Sequence, residues 1–128
     1  MLAIFAIFCG AGLGGVLRYG ITVGGGKLLG LDFPWATLAI NITGSFVMGM
    51  AAAWFVIKGA ASGPPEWRLF LTTGVLGGYT TFSTFSLDAV YLWERGAAGQ
   101  AAIYVLGSFV ISLAALGAGL ALVRALIG

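Results

Sequence analysis

An all-α membrane protein is the fold class this sequence predicts. It has four transmembrane helices per subunit, the third broken near Gly77–Thr80, and two subunits paired antiparallel in dual topology. Three observations lead there. The 128 residues are 60% hydrophobic and only 8% charged, with a mean hydropathy of +1.07. Apolar stretches long enough to cross a bilayer, ~20 residues each, recur four times. Basic residues divide evenly between the two ends that those crossings define. A soluble domain carries about 25% charged residues to cover its surface, which this chain lacks.

The first span is expected over 2–24, ended by Gly24-Gly25-Gly26-Lys27. The second, 34–57, follows Asp32-Phe33-Pro34, with Pro34 suited to a first helical turn. Lys58 through Glu66, with Gly63-Pro64-Pro65, reads as a loop. The third span covers 67–93 and is closed by Glu94-Arg95-Gly96, and the fourth covers 100–127. Residues 1–128 thereby form a single four-helix transmembrane domain with no room for a catalytic domain outside the membrane. The first stretch lacks a basic leader and a clear cleavage site, so it reads as a retained helix.

Glycine occurs 22 times. Small residues stand four apart at Gly10 and Gly14, Ser45 and Gly49, and Ala115 and Gly119, a spacing that lets helix backbones approach closely in lipid. Lys58, Arg68 and Arg124 fall on the side of the termini. Lys27 and Arg95 fall on the other, with Arg18 near that end of the first helix. Three against three leaves almost no orientation preference, so insertion both ways and antiparallel pairing are expected. A polar pathway is also easier to build from two thin bundles than from one.

The third span reads Gly74-Val75-Leu76-Gly77-Gly78-Tyr79-Thr80-Thr81-Phe82-Ser83-Thr84-Phe85-Ser86. Glycines followed by hydroxyl residues weaken regular helix at mid-depth. A break there is tolerated where its carbonyls bind an ion or line a wet cavity; a continuous helix with Ser and Thr bonded back to its own carbonyls is the alternative. Thr37, Asn41 and Ser45 stand on one stripe of the second span, and Tyr104, Ser108 and Ser112 on one stripe of the fourth. One such ladder fits interhelical hydrogen bonding. Two ladders beside a hydroxyl-rich span favour a polar conduit.

The donors of that conduit suit an anion. Hydroxyls and the Asn41 amide can donate, and phenyl rings present positive edges. Only Asp88 stands well inside a span among the acidic residues, so neither the acidic rings of a cation pore nor the mid-span carboxylate of a proton-coupled carrier is present. The absence of His removes the usual proton shuttle, and the lone Cys9 allows no intrachain disulfide. No Ser sits near a plausible general base, which argues against an enzyme.

The run Gly77 to Ser86, with Asn41-Ile42-Thr43-Gly44 upstream and Leu17-Arg18-Tyr19 in the first span, resembles the Fluc-type fluoride channels, the CrcB family. The similarity covers essentially the whole chain. It implies a dual-topology homodimer in the bacterial plasma (inner) membrane, with two antiparallel pores that let fluoride leave the cell passively. By the same resemblance Phe82 and Phe85 offer ring edges to fluoride and Asn41 lines the pore. Tyr104, Ser108 and Ser112 form a hydrogen-bonding track, and Ser83, Thr84 and Thr37 are further pore candidates. Backbone carbonyls of Gly77 and Thr80 from both subunits are implied to hold one central, structural Na⁺ that is not transported. Implied partners are fluoride, Na⁺, a second copy of the chain and membrane lipid, with no nucleic acid. Arg18 matches a family arginine and equally suits an interfacial snorkelling residue. Asp88 stands where some members have glutamate.

Two rivals remain at this level. A small multidrug exporter of four spans relies on a carboxylate in its first span, whereas the first acid here is Asp32, after that helix. A purely structural subunit accounts for the glycines but not for the two ladders and the Phe82–Phe85 pair.

Overall fold

A computed structural model describes residues 1–128. Three long helices dominate: α1 (Leu2–Leu29), α2 (Trp35–Lys58) and, at the end of the chain, α6 (Ala98–Ile127). Each is long and apolar enough to cross a membrane, the second together with the 3₁₀ turn Gly59–Ser62 that continues it. Between them runs a segmented path: α3 (Pro65–Leu69), a π-helical stretch (Phe70–Leu76), α4 (Gly77–Tyr79) and α5 (Phe82–Glu94). No single segment of that path is long enough to span a bilayer by itself.

The first helix outruns its expected end at Gly24. It continues through Gly24–Gly26 to Leu29 and stops at Gly30, whose φ of 79° is the left-handed conformation glycine adopts without steric cost. Gly25 is retained inside the helix because its missing Cβ lets Ala36 approach; an added methyl would lie 2.9 Å from the Ala36 Cβ. Arg18 consequently stands well inside the helix and not near its end.

The break in the third path falls at the far end of the expected Gly77–Thr80 stretch, at Thr80 and the residue after it. Gly77 is helical, with φ −64° and ψ −38°, whereas Thr80 (φ −78°, ψ 157°) and Thr81 (φ −152°, ψ 119°) are extended. Glycine lowers helix propensity by about 1 kcal/mol but does not by itself stop a helix. Gly78 serves close packing instead, since a methyl there would lie 3.0 Å from the Ala11 Cα. The stop comes from polar side chains that capture backbone groups at Thr81, as described below.

Two seams of small residues hold the elements together. Gly10 and Gly14 of α1 are buried against Phe70, Gly74, Val75 and Tyr79 of the segmented path. Gly49 of α2 meets Leu116 and Leu120 of α6, while Gly119 of α6 meets Phe46 and Met50. Leu38 of early α2 packs on the cluster that includes Ala101 and Tyr104 of early α6, and Gly49 further along α2 meets Leu116 further along α6, so these two helices run parallel. Lys58, Arg68, Arg124 and Met1 therefore share one end, and Lys27, Asp32, Glu94 and Arg95 the other. Arg95 ties the second end together by donating to the Asp32 carbonyl and to Gln100 Oε1.

Only 17 of 128 residues are buried, although most of the chain is hydrophobic. The accessible surface is 7770 Å², against about 6,400 Å² for a soluble monomer of this mass. The surplus is apolar: Phe8, Tyr19, Phe82, Trp93 and Phe109 all stand outward. Such a surface is stable facing lipid or another subunit, and the chain is a multi-pass membrane protein.

Candidate functional site

Asn41 organises the break. Its Nδ2 donates to the Thr81 carbonyl at 3.0 Å, and its Oδ1 accepts from the Thr81 amide at 2.9 Å. Both backbone groups of one extended residue are thus satisfied by a single amide side chain, which makes the interruption affordable in a low-dielectric setting. The Thr81 hydroxyl then caps α5 by accepting from the Thr84 amide at 3.2 Å. Upstream, the Thr80 hydroxyl and amide both donate to the Leu76 carbonyl, at 2.9 and 3.0 Å.

These bonds redirect two donors. The Thr81 amide would serve the Gly77 carbonyl in a continuous helix, and the Thr84 amide would serve the Thr80 carbonyl. Here they serve Asn41 and Thr81 instead. The carbonyls of Gly77 and Thr80 therefore lose their helical partners. The Gly78 carbonyl between them accepts from Arg18 Nε at 3.2 Å.

Beside the break lies a groove of about 340 Å³ between α2, α5 and α6. Asn41, Phe82, Phe85, Ser108 and Ser112 line it together with Thr80 and Thr81. The Phe82 and Phe85 rings are 5.5 Å apart and tilted by 46°, so edges as well as faces are presented. Phe82 is 79% exposed at the open side of the groove. Phe85 leans inward onto Tyr104, 5.2 Å between centroids.

The hydroxyls of Ser108 and Ser112 are buried and have no hydrogen-bond partner. That is unusual for residues that could bond back to their own helix, as Thr43 does to Ala39 at 2.7 Å and Thr72 to Arg68 at 2.8 Å. An unsatisfied buried hydroxyl costs about 1–3 kcal/mol. Two of them, one turn apart on α6 and turned into the same groove, form a donor pair without an acceptor.

Tyr104 extends the track toward the Arg95 end. It is almost fully buried, and its hydroxyl donates to Asp88 Oδ2 at 3.2 Å. Asp88, which stands where some members of the resembling family have glutamate, thereby joins the track as the acceptor of the Tyr104 hydroxyl. Thr37 is buried next to Tyr104. Ser83 and Thr84 do not line the groove: Ser83 is exposed, its hydroxyl 3.4 Å from that of Thr81, and Thr84 participates through its amide. Sequence reasoning missed Met48, Phe109, Leu113 and Leu116 in the groove wall. It also missed the 2.9 Å bond between Thr43 and Tyr79, which joins α2 to α4. Nothing in helical spacing distinguishes those residues from ordinary lipid-facing ones.

The sequence pattern of the family described as "CrcB-like protein, Camphor Resistance (CrcB)" matches residues 5–120. The chain is 53% identical to a protein of Methylobacterium nodulans named "Fluoride-specific ion channel FluC", over 97% of this chain and 98% of that one. It is 55% identical to a protein of the same name from Rhodopseudomonas palustris, over 94% and 95%. A third, from Agrobacterium fabrum, is 51% identical over 97% and 98%. These relatives are channels by name and not enzymes. With similarity at this level over nearly the whole chain, the chain belongs to the CrcB family.

Proposed function

We propose that this protein is a fluoride-selective channel that releases fluoride passively across the bacterial plasma membrane, lowering its cytoplasmic concentration. The observation that carries the reading is the pair of buried, unpartnered hydroxyls of Ser108 and Ser112 facing the Phe82–Phe85 rings in one groove. A small anion entering there accepts from both hydroxyls and meets ring edges, recovering part of its hydration energy from donors in a groove lined by no carboxylate. The names of the relatives supply the identity of the anion. Tyr104 and Asp88 continue the polar track beyond the serines.

The working unit in this proposal is an antiparallel homodimer, with four crossings per subunit and two pores. The segmented path Pro65–Glu94 provides the remaining crossing, since its pieces follow one another from the Arg68 end to the Arg95 end. The groove is open on one side, with Phe82 at its edge, so a second copy completes its wall.

A central Na⁺ belongs to the same proposal, and the donor set suits it. The Gly77 and Thr80 carbonyls are hard oxygen ligands freed from helical bonding, and two subunits would contribute four of them. Such an ion supplies positive charge that holds two broken helices together. Arg18 fixes the neighbouring Gly78 carbonyl, and Asn41 fixes Thr81, so the orientation of the flanking carbonyls rests on these two side chains.

The test is fluoride efflux from liposomes containing the purified protein, with chloride as control anion. Rapid loss of fluoride without loss of chloride is expected. Intact, dimeric protein that passes no fluoride overturns the reading in favour of a structural subunit.

A further inference from the structure

At the end of the molecule opposite Asp88, a second pocket of about 440 Å³ opens where α2 turns through Gly59–Ser62 into α3. Phe55 and Leu69 form its apolar floor, and Ser62, Pro64 and Arg68 its rim. It shares no residue with the groove beside the break. The Arg68 guanidinium makes no hydrogen bond within the chain, whereas its backbone carbonyl accepts from the Thr72 hydroxyl. Glu66, the nearest acid in sequence, does not line the pocket.

The surroundings fix the depth. Trp54 and Trp67 are both partly exposed at this level, as tryptophans are at a membrane–water boundary. Lys58 Nζ sits 5.5 Å above the Trp54 ring. Charge is lopsided as well. Lys58, Arg68 and Arg124 face only Glu66 here, whereas Lys27 and Arg95 are balanced by Asp32 and Glu94, and Arg18 and Asp88 cancel. The net charge of +2 thus resides at this end.

We propose that this pocket holds the glycerol-phosphate headgroup of an anionic phospholipid, with Arg68 as the phosphate donor. A guanidinium fork matches two phosphate oxygens, and no carboxylate competes for it. The pocket is of a size that encloses small polar groups, while the outward Val56 beside it offers an apolar path for an acyl chain. A zwitterionic headgroup places its own cation against Arg68 and Lys58, so the site discriminates by charge.

The experiment equilibrates the purified protein in mixed micelles of equal phosphatidylglycerol and phosphatidylcholine, and reads bound lipid by native mass spectrometry. Wild type retains the glycerol lipid about fivefold over the choline lipid. Arg68→Gln brings the ratio near one, Arg68→Lys leaves it intermediate, and Lys27→Gln at the other end leaves it at the wild-type value. All variants elute at the wild-type size. A wild-type ratio near one, or an unchanged ratio in Arg68→Gln, overturns the proposal. Complete displacement of the retained lipid by millimolar glycerol phosphate overturns the lipid reading in favour of a free-phosphate site.

Discussion

At the residue scale the site is built from polar groups whose partners are withheld. Ser108 and Ser112 lack acceptors within the chain, so replacing either by alanine removes a penalty along with a donor. Ser108→Ala and Ser112→Ala are therefore expected to leave stability unchanged or raise it by up to about 1 kcal/mol, while fluoride efflux falls. Thermal unfolding in detergent and liposome efflux, measured on the same preparations, separate the two effects; undiminished efflux in both variants removes the serines from the pathway. Asn41 behaves oppositely. Its amide satisfies both backbone groups of Thr81, so Asn41→Ala leaves an orphaned peptide and costs about 2–4 kcal/mol as well as flux. A variant that loses flux with an unshifted melting temperature makes Asn41 an ion ligand and not a clamp. The two phenylalanines divide similarly. Phe85 packs between Phe82 and Tyr104, whereas Phe82 stands mostly exposed. Phe82→Ile is expected to impair fluoride flux in a dimer of normal size, and Phe85→Ile to lose some stability too, of order 0.5–1.5 kcal/mol beyond lost area. Normal flux in both variants refutes the ring-edge role.

At the element scale, backbone proximity sets tolerance. A side chain at Gly14 strikes Val75 and Tyr79 backbone, and one at Gly78 strikes Ala11, with no flexible atom able to yield. Gly14→Val and Gly78→Val are expected to abolish folding, seen as loss of a monodisperse peak after extraction. Gly99, in the first turn of α6 with nothing near it, accepts alanine with a gain of up to about 1 kcal/mol. Failure of Gly99→Ala to fold, or normal folding of both valine variants, contradicts the packing. The same distinction explains what sequence could reveal. Helical crossings follow from hydropathy alone, and the Asn41, Ser108 and Ser112 stripes follow from a period of four. The end of α1 does not, because Gly24–Gly26 look like a stop until Ala36 is seen to need the room. Nor does the cause of the break: glycines and hydroxyls mark the Gly77–Thr80 neighbourhood, but Thr81 is where a side chain 40 positions away captures the backbone. Long-range pairings of that kind leave no periodic trace.

At the scale of the whole molecule, charge decides orientation. The structure puts Lys58, Arg68 and Arg124 at one end and Lys27 and Arg95 at the other, with Arg18 held inside by the Gly78 carbonyl. Three basic residues against two is too small a bias to fix topology. If both orientations form and pair, a C-terminal reporter active on only one side of the membrane gives signal from each of two complementary fusions. Signal from one fusion alone ends the dual-topology proposal. A stricter version changes the bias. Leu31→Lys with Ala98→Lys adds two charges to the Arg95 end, and both positions are exposed near helix termini. That variant is expected to insert with its termini outside, to find no oppositely oriented partner, and to lose fluoride export in cells. Ala61→Lys with Gly128→Lys biases the other way and loses export for the mirror reason. Co-expression of the two restores export, because each supplies the orientation the other lacks. Export by either variant alone, with its orientation verified as uniform, means that a parallel pair or a single chain conducts, and the antiparallel assembly must then be abandoned.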